Sequence, residues 1–294
     1  MARQVVRPAA VAGSWYPGQR AALAREVDRY LDEASDPPAG DLLAAIAPHA
    51  GLMYSGPVAG HAYRALRGQT FDVAVLVGPS HFIGFDGVAV VDQGGFETPL
   101  GLVAIDADVA AALLDASDLV HVRPAAHARE HSLEMQLPFL QRVQPDVPVV
   151  PAVMGYQTRE TVLGLGAALA STLTGRRALL VASTDLSHYL DAATASRHDG
   201  RVADHVSHFD PEALLAEFER YPEHDRGRCV ACGGGPAIAV MLAARSLGAT
   251  NARVLRYANS GDVSGDYGAV VGYLAAVIGR FGGPDPSTPD RRGA

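Results

Sequence analysis

Residues 42–56 read LLAAIAPHAGLMYSG. The apolar run over 42–47 predicts a buried strand, and it stops abruptly at Pro48-His49, with Gly51 and Gly56 close behind to let the chain turn. The pattern recurs at residues 71–81, FDVAVLVGPSH, where a β-branched apolar run breaks at Gly78-Pro79 and finishes on His81. A third such run, 177–182, ends in Ser183-Thr184-Asp185-Leu186-Ser187-His188-Tyr189. In open α/β sheets, ligands bind in the crevice outside the carboxyl ends of the strands. His49, His81, Asp185 and His188 are therefore expected along one such edge.

Strands alternate with helical periodicity along the chain, which predicts α/β architecture: one domain over residues 1–280, with a largely parallel or mixed central sheet flanked by helices. Helices are expected over 19–34, over 58–66 with Ser55 as cap and Pro57 in the first turn, and over 107–116 behind Asp106. Further helices are expected over 158–173, 192–208, 211–221 behind Asp210, and 237–247. Residues 88–91 and 102–105 predict a smaller β region, 147–154 another buried strand, and 254–257 and 268–278 closing strands. Pro138 should kink or restart a helix in the 121–142 run. Residues 281–294, polar and rich in Pro and Gly, read as a disordered tail.

The chain has 294 residues, of which 48% are hydrophobic and 19% charged, as in an ordinary globular enzyme that can bury a large core. Its net charge is −8 with no basic stripe, so nucleic acid and anionic membrane are not expected partners. The longest apolar stretch, 267–279, is shorter than the ~20 residues a membrane helix needs, and residues 1–13 lack an apolar signal core. A cytoplasmic location is expected.

Only two cysteines occur, Cys229 and Cys232, spaced C-x-x-C, so their role must be local. Cys232 precedes Gly233-Gly234-Gly235-Pro236 and a helix start, where the positive backbone potential favours thiolate, the metal-binding form. A thioredoxin-like redox pair is the rival, although no strand leads into the motif. Residues 127–131 also match H-x-x-E-H, which on one helix would bring His127 and His131 to zinc with Glu130 as base. The helix is expected to begin nearer Ser132, which weakens the peptidase alternative. His131 could still reach the main site from there, and Glu134 reads as structural.

APHAGLMYSG (47–56), GPSHF (78–82), EHSLEMQLPFL (130–140), STDLSHY (183–189) and CGGGP (232–236), with Arg7-Pro8 and Gly13-Ser14-Trp15-Tyr16-Pro17, together resemble the Memo-like proteins. This is the mediator of cell motility family, including the AmmeMemoRadiSam system protein B type. The resemblance spans nearly the whole chain and implies a fold related to class III extradiol dioxygenases, non-haem iron enzymes. It implies His49 and His81 as metal ligands, Cys232 in place of the usual carboxylate ligand, and His188 with Asp185 at the acid/base position. Tyr54, His131, Tyr189 and Cys229 are expected in the pocket. Two imidazoles and a thiolate suit Fe(II), Cu(I) or Zn(II), the sulfur moving preference toward copper and zinc. The expected function is that of a metal-dependent redox or dioxygenase-like enzyme. The alternative is a peptide- or phosphopeptide-binding module using the same pocket. A functional link to radical-SAM and AMMECR-like proteins is implied as well.

Overall fold

The computed structural model describes residues 6–282; the tail expected over 281–294 lies almost wholly outside them. In chain order the strands are β1 (Val6–Arg7), β2 (Gly40–Ala47), β3 (Val73–Pro79), β4 (Val88–Val90), β5 (Gly95–Thr98), β6 (Gly101–Ala104), β7 (Val120–Val122), β8 (Val149–Met154), β9 (Ala178–Ser183), β10 (His188–Leu190), β11 (Asn251–Asn259) and β12 (Val270–Phe281). Nine of them form one mixed sheet in the order β10-β12-β2-β9-β3-β8-β4-β7, with β11 also paired to β12. Its centre, β2-β9-β3-β8, is parallel, while β12 and β4 join it antiparallel.

The central strands read as unbroken apolar runs because both faces are covered, and side chains alternate between the two cores. Ala44, Ile46, Val75, Val77 and Ala182 pack on one face with the helices Arg159–Leu173 and Gly234–Ser246. Ala45, Ala47, Ala74, Leu76 and Val181 pack on the other with Arg20–Glu33, Leu52–Arg64 and Leu137–Val143. Asp106 and Asp210 cap their helices as expected, accepting from Val109 N and Ala213 N.

Several boundaries differ for identifiable reasons. The second helix begins at Leu52, so Pro57 lies inside it and Ser55 Oγ donates to Ala50 O rather than capping. The smaller β region divides: β4 joins the large sheet through β8, whereas β6 forms a separate three-stranded sheet with β5 and β1. The helix Glu223–Cys229 has no buried residue and therefore no apolar periodicity to read. Pro138 restarts the chain as anticipated: a 3-10 turn, Glu134–Gln136, gives way to a helix with Pro138 in its first turn.

A buried ion pair ties the N-terminal segment across this architecture. Glu134, 0% exposed, accepts from Arg7 Nη1 (2.7 Å), Ala10 N (2.8 Å), Val11 N (3.0 Å) and Tyr16 Oη (2.6 Å). Arg7 Nε and Nη2 donate to the carbonyls of His127 and Glu130, both at 2.6 Å. Trp15, carried by the same segment, then lies against the His131 ring with centroids 4.3 Å apart.

Candidate metal centre

Three adjacent strands, β2, β9 and β3, deliver the site, because His49, Asp185 and His81 each sit two residues beyond a strand end. They line a cavity of about 470 Å³ with Trp15, His131, His188, Tyr189 and Cys232. The His49 and His81 rings stand edge to face, 5.2 Å between centroids.

The hydrogen-bond network fixes which nitrogen of each imidazole faces the cavity. Ser183 Oγ gives its one proton to Ser132 O (2.7 Å) and accepts from Gln136 Nε2 (2.8 Å), so His49 Nδ1, at 2.9 Å, must be a donor to it. His81 Nδ1 faces Glu130 Oε1 at 2.9 Å and must likewise donate. Metal-binding histidines are commonly oriented this way, through an outer partner on the second nitrogen. Both Nε2 atoms are left for the cavity, and Cys232 Sγ meets them there, 3.3 Å from His49 Nε2 and hydrogen-bonded to the His81 imidazole. Cys232 reaches this position because the glycines after it allow close approach: a Cβ on Gly233 would run into the Ser183 carbonyl oxygen.

Burial alone would raise the Cys232 pKa, but the facing His49 charge and the hydrogen bonds from His49 and His81 outweigh it and lower the thiol to about 6. Burial would lower His81, yet its bonds to Cys232 and Glu130 and their charges raise it to about 10. Glu130 is pulled the opposite way: burial favours its neutral form, and the bonds and charge of His81 hold it at about 2. The metal-free site is therefore a thiolate facing an imidazolium, with a carboxylate behind.

His131 completes the cluster. One ligand nitrogen from each of His49, His81 and His131 lies within 4.8 Å of the others. His131 Nδ1 is buried with no hydrogen-bond partner, 3.6 Å from Glu130 Oε1. Burial, reinforced by the charges of His49 and His81, lowers its pKa to about 3, so the ring stays neutral and keeps the lone pair of one nitrogen available. An orphaned buried nitrogen beside two presented Nε2 atoms and a thiolate is a donor set that fits a transition metal ion.

Other expected residues take different places. Asp185 does not hydrogen-bond His188. Its Oδ1 accepts from His49 N (2.7 Å) and Ala50 N (3.3 Å), so it anchors the PHAG turn, and burial raises its pKa. His188 Nδ1 lies against two carbonyls, Leu186 O (2.7 Å) and Gly227 O (3.0 Å), and must carry a proton. Nε2 of this cavity-lining ring is thereby left as the lone pair. Tyr189 is 71% exposed at the mouth with φ +59°, an uncommon conformation for an aromatic residue, at the irregularity where β10 meets β12.

Tyr54 lines an adjoining cavity rather than this one. Cys229 also stays out: it ends the helix Glu223–Cys229 and packs against the apolar core, and burial and the Asp225 charge push its thiol pKa up. The chain turns between the two cysteines, with Cys232 N donating to Asp185 O, so the sulfurs serve different surroundings.

The H-x-x-E-H pattern does not form a peptidase site. The helix Pro124–His127 ends before Glu130, and His127 Nε2 donates to Ala89 O at 3.0 Å, in a buried pocket beside Phe96 that lowers its pKa to about 4. Glu130 instead holds His81, accepting its backbone N–H at 2.6 Å as well as its ring N–H. Sequence reasoning missed that partnership, together with the Ser183–Gln136 relay behind His49. Glu130 directly before His131, in a motif already under suspicion for metal, was the available signal.

Residues 7–277 match the Memo-like protein family. A MEMO1 family protein of Methanothermobacter thermautotrophicus is 38% identical over 279 residues, covering 92% of this chain and 99% of its own. One from Methanosarcina mazei is also 38% identical, covering 93% and 99%, and one from Pyrobaculum aerophilum is 37% identical, covering 94% and 99%. The chain belongs to the Memo-like family. Among solved structures, the uncharacterized protein JW3007 from Escherichia coli K12 superposes with a TM-score of 0.56 over 81% of this chain and 100% of its own, at 14% identity. That likeness concerns the fold alone.

Proposed function

We propose that this protein is a metal-dependent enzyme of redox or dioxygenase-like type, its metal held by His49, His81 and Cys232. His131 offers a further nitrogen on the Trp15 side. The observation that carries the proposal is the locking of both histidines: Nδ1 of each is spent on Ser183 or Glu130, so both Nε2 atoms meet one sulfur. A bound iron or copper ion would supply Lewis acidity and one-electron chemistry, with zinc offering the first alone.

The chain's own residues do the rest. Glu130 and Ser183 hold the ligand rings in one orientation, and Asp185 keeps the PHAG turn in place. His188, with its proton fixed on Nδ1, can take a proton at Nε2 from a molecule in the cavity and return it. Trp15 and Tyr189 supply aromatic surface to the cavity lining. A cytoplasmic location is part of the proposal; among the described residues no single helix is long and apolar enough to cross a membrane, and one linked pair, bent by 80°, passes by length and composition only.

The test is metal analysis after anaerobic purification. Wild type should carry about one ion per chain, and His49→Ala, His81→Ala and Cys232→Ser less than about a tenth of that, since each removes a ligand from a three-point site. Equal metal in all four proteins would overturn the proposal. Peptide binding that survives loss of metal and of all three ligands would favour the binding-module alternative.

A further inference from the structure

We propose that a second cavity, adjoining the metal centre, is a binding site for an organic ammonium ion. It measures about 480 Å³ and is bounded by Trp15, Tyr16, Met53, Tyr54 and Glu26. Trp15 belongs to the walls of both cavities, so the two are neighbouring lobes that adjoin at this residue.

The chemistry of the walls selects the ligand. Two aromatic residues with accessible surface, Trp15 and Tyr54, and the Met53 thioether offer an apolar lining, and Glu26 is the only charged residue among the described lining residues. Glu26 Oε1 accepts from Tyr30 Oη at 3.0 Å, and among the described residues no basic group lies within ion-pair distance of its carboxylate. The nearby Arg29 is already committed, to Glu33 at 3.2 Å and to the face of Tyr30 at 4.3 Å. A half-buried carboxylate in a cavity also lined by Trp15 and Tyr54 attracts an ammonium group by charge and repels anions, and either ring adds cation–π attraction to a cation seated on its face. An alkyl or aryl stem would cover the apolar walls, including Met53, which is 56% exposed.

The lobe is preorganised. Leu52 N donates to Trp15 O at 2.8 Å, and Glu134 grips the segment on the other side through Ala10, Val11 and Tyr16, so no ordering of the wall is needed on binding. That a ligand long enough to pass Trp15 would present its far end to the metal rests on the function proposed above; binding in the lobe does not.

The experiment uses the chain's single tryptophan as reporter. Full-length protein is titrated with n-hexylammonium chloride and, separately, with 1-hexanol, following Trp15 fluorescence and calorimetry. Hexylammonium should bind about tenfold more tightly than hexanol, and Glu26→Gln, unchanged in thermal midpoint, should lose that preference. Equal affinity for the two probes, binding of neither, or a preference that persists in Glu26→Gln would overturn the proposal. The metal content of the same preparations reads the metal centre independently, so the two proposals fail separately.

Discussion

Cutting Glu134 back to alanine is expected to lower the unfolding free energy by about 3–5 kcal/mol, as removal of one partner from a buried ion pair does. The carboxylate is wholly buried and takes four donors, one of them the Arg7 guanidinium, which is itself only 9% exposed. After truncation the Arg7 charge stays in the protein interior with carbonyls as its remaining partners, and two backbone amides and the Tyr16 hydroxyl lose their acceptor. For a chain of this size the loss corresponds to a fall of about 5–8 °C in thermal midpoint, measurable by calorimetry. Glu134→Gln should cost less, because an amide oxygen can still accept from the amides and the hydroxyl. A change below about 1 kcal/mol in Glu134→Ala would mean that the N-terminal segment is not anchored as described. Because that segment carries Trp15, the variant should also loosen the contact with His131 and raise solvent exposure of the indole.

Metal affinity should fall steeply with acid. Ligation needs Cys232 as thiolate and His81 neutral at Nε2, so protons compete with the metal and affinity rises with pH. His81, raised to about 10, is the competitor through the neutral range, and Cys232, lowered to about 6, joins it below that. The apparent association constant is thus expected to drop about tenfold per pH unit from about pH 10 to pH 6, and about a hundredfold per unit below. Competition with a chelator of known pH dependence, from pH 8 to pH 5, checks this; a flat profile would show that His81 and Cys232 are not both ligands. In Cys232→Ser the imidazolium loses its thiolate partner, so His81 should titrate lower and the profile above pH 6 should flatten as the affinity weakens.

The buried strands and the residues they carry to their ends were legible in the sequence. An apolar run that stops at Pro-His has one natural reading in a parallel sheet, and His49 and His81 both lie on that edge. Cys232 was legible as a thiolate from the helix start that follows it, although the structure lowers its pKa through His49 and His81. What could not be read were pairings between distant segments. Glu130 meets His81 across 49 positions, and Arg7 meets Glu134 across 127, with no local period to announce either. Asp185 looked like a partner for the nearby His188, but tertiary packing gave it to the amides of His49 and Ala50. Cys229 shared a motif with Cys232, yet a helix end and a turn send it to the apolar core. Sequence spacing shows which side chains share a segment; which of them share a site depends on the turn that follows.

The central claim is that Cys232 and the two locked imidazoles converge on one ion. Titration of the anaerobic protein with Co(II), followed by near-ultraviolet absorption, tests it most directly. A thiolate-to-cobalt charge-transfer band should saturate at about one equivalent in wild type, vanish in Cys232→Ser, and weaken in His49→Ala and His81→Ala through lost affinity. A band that persists unchanged in Cys232→Ser, or stoichiometric cobalt without any such band in wild type, would contradict it.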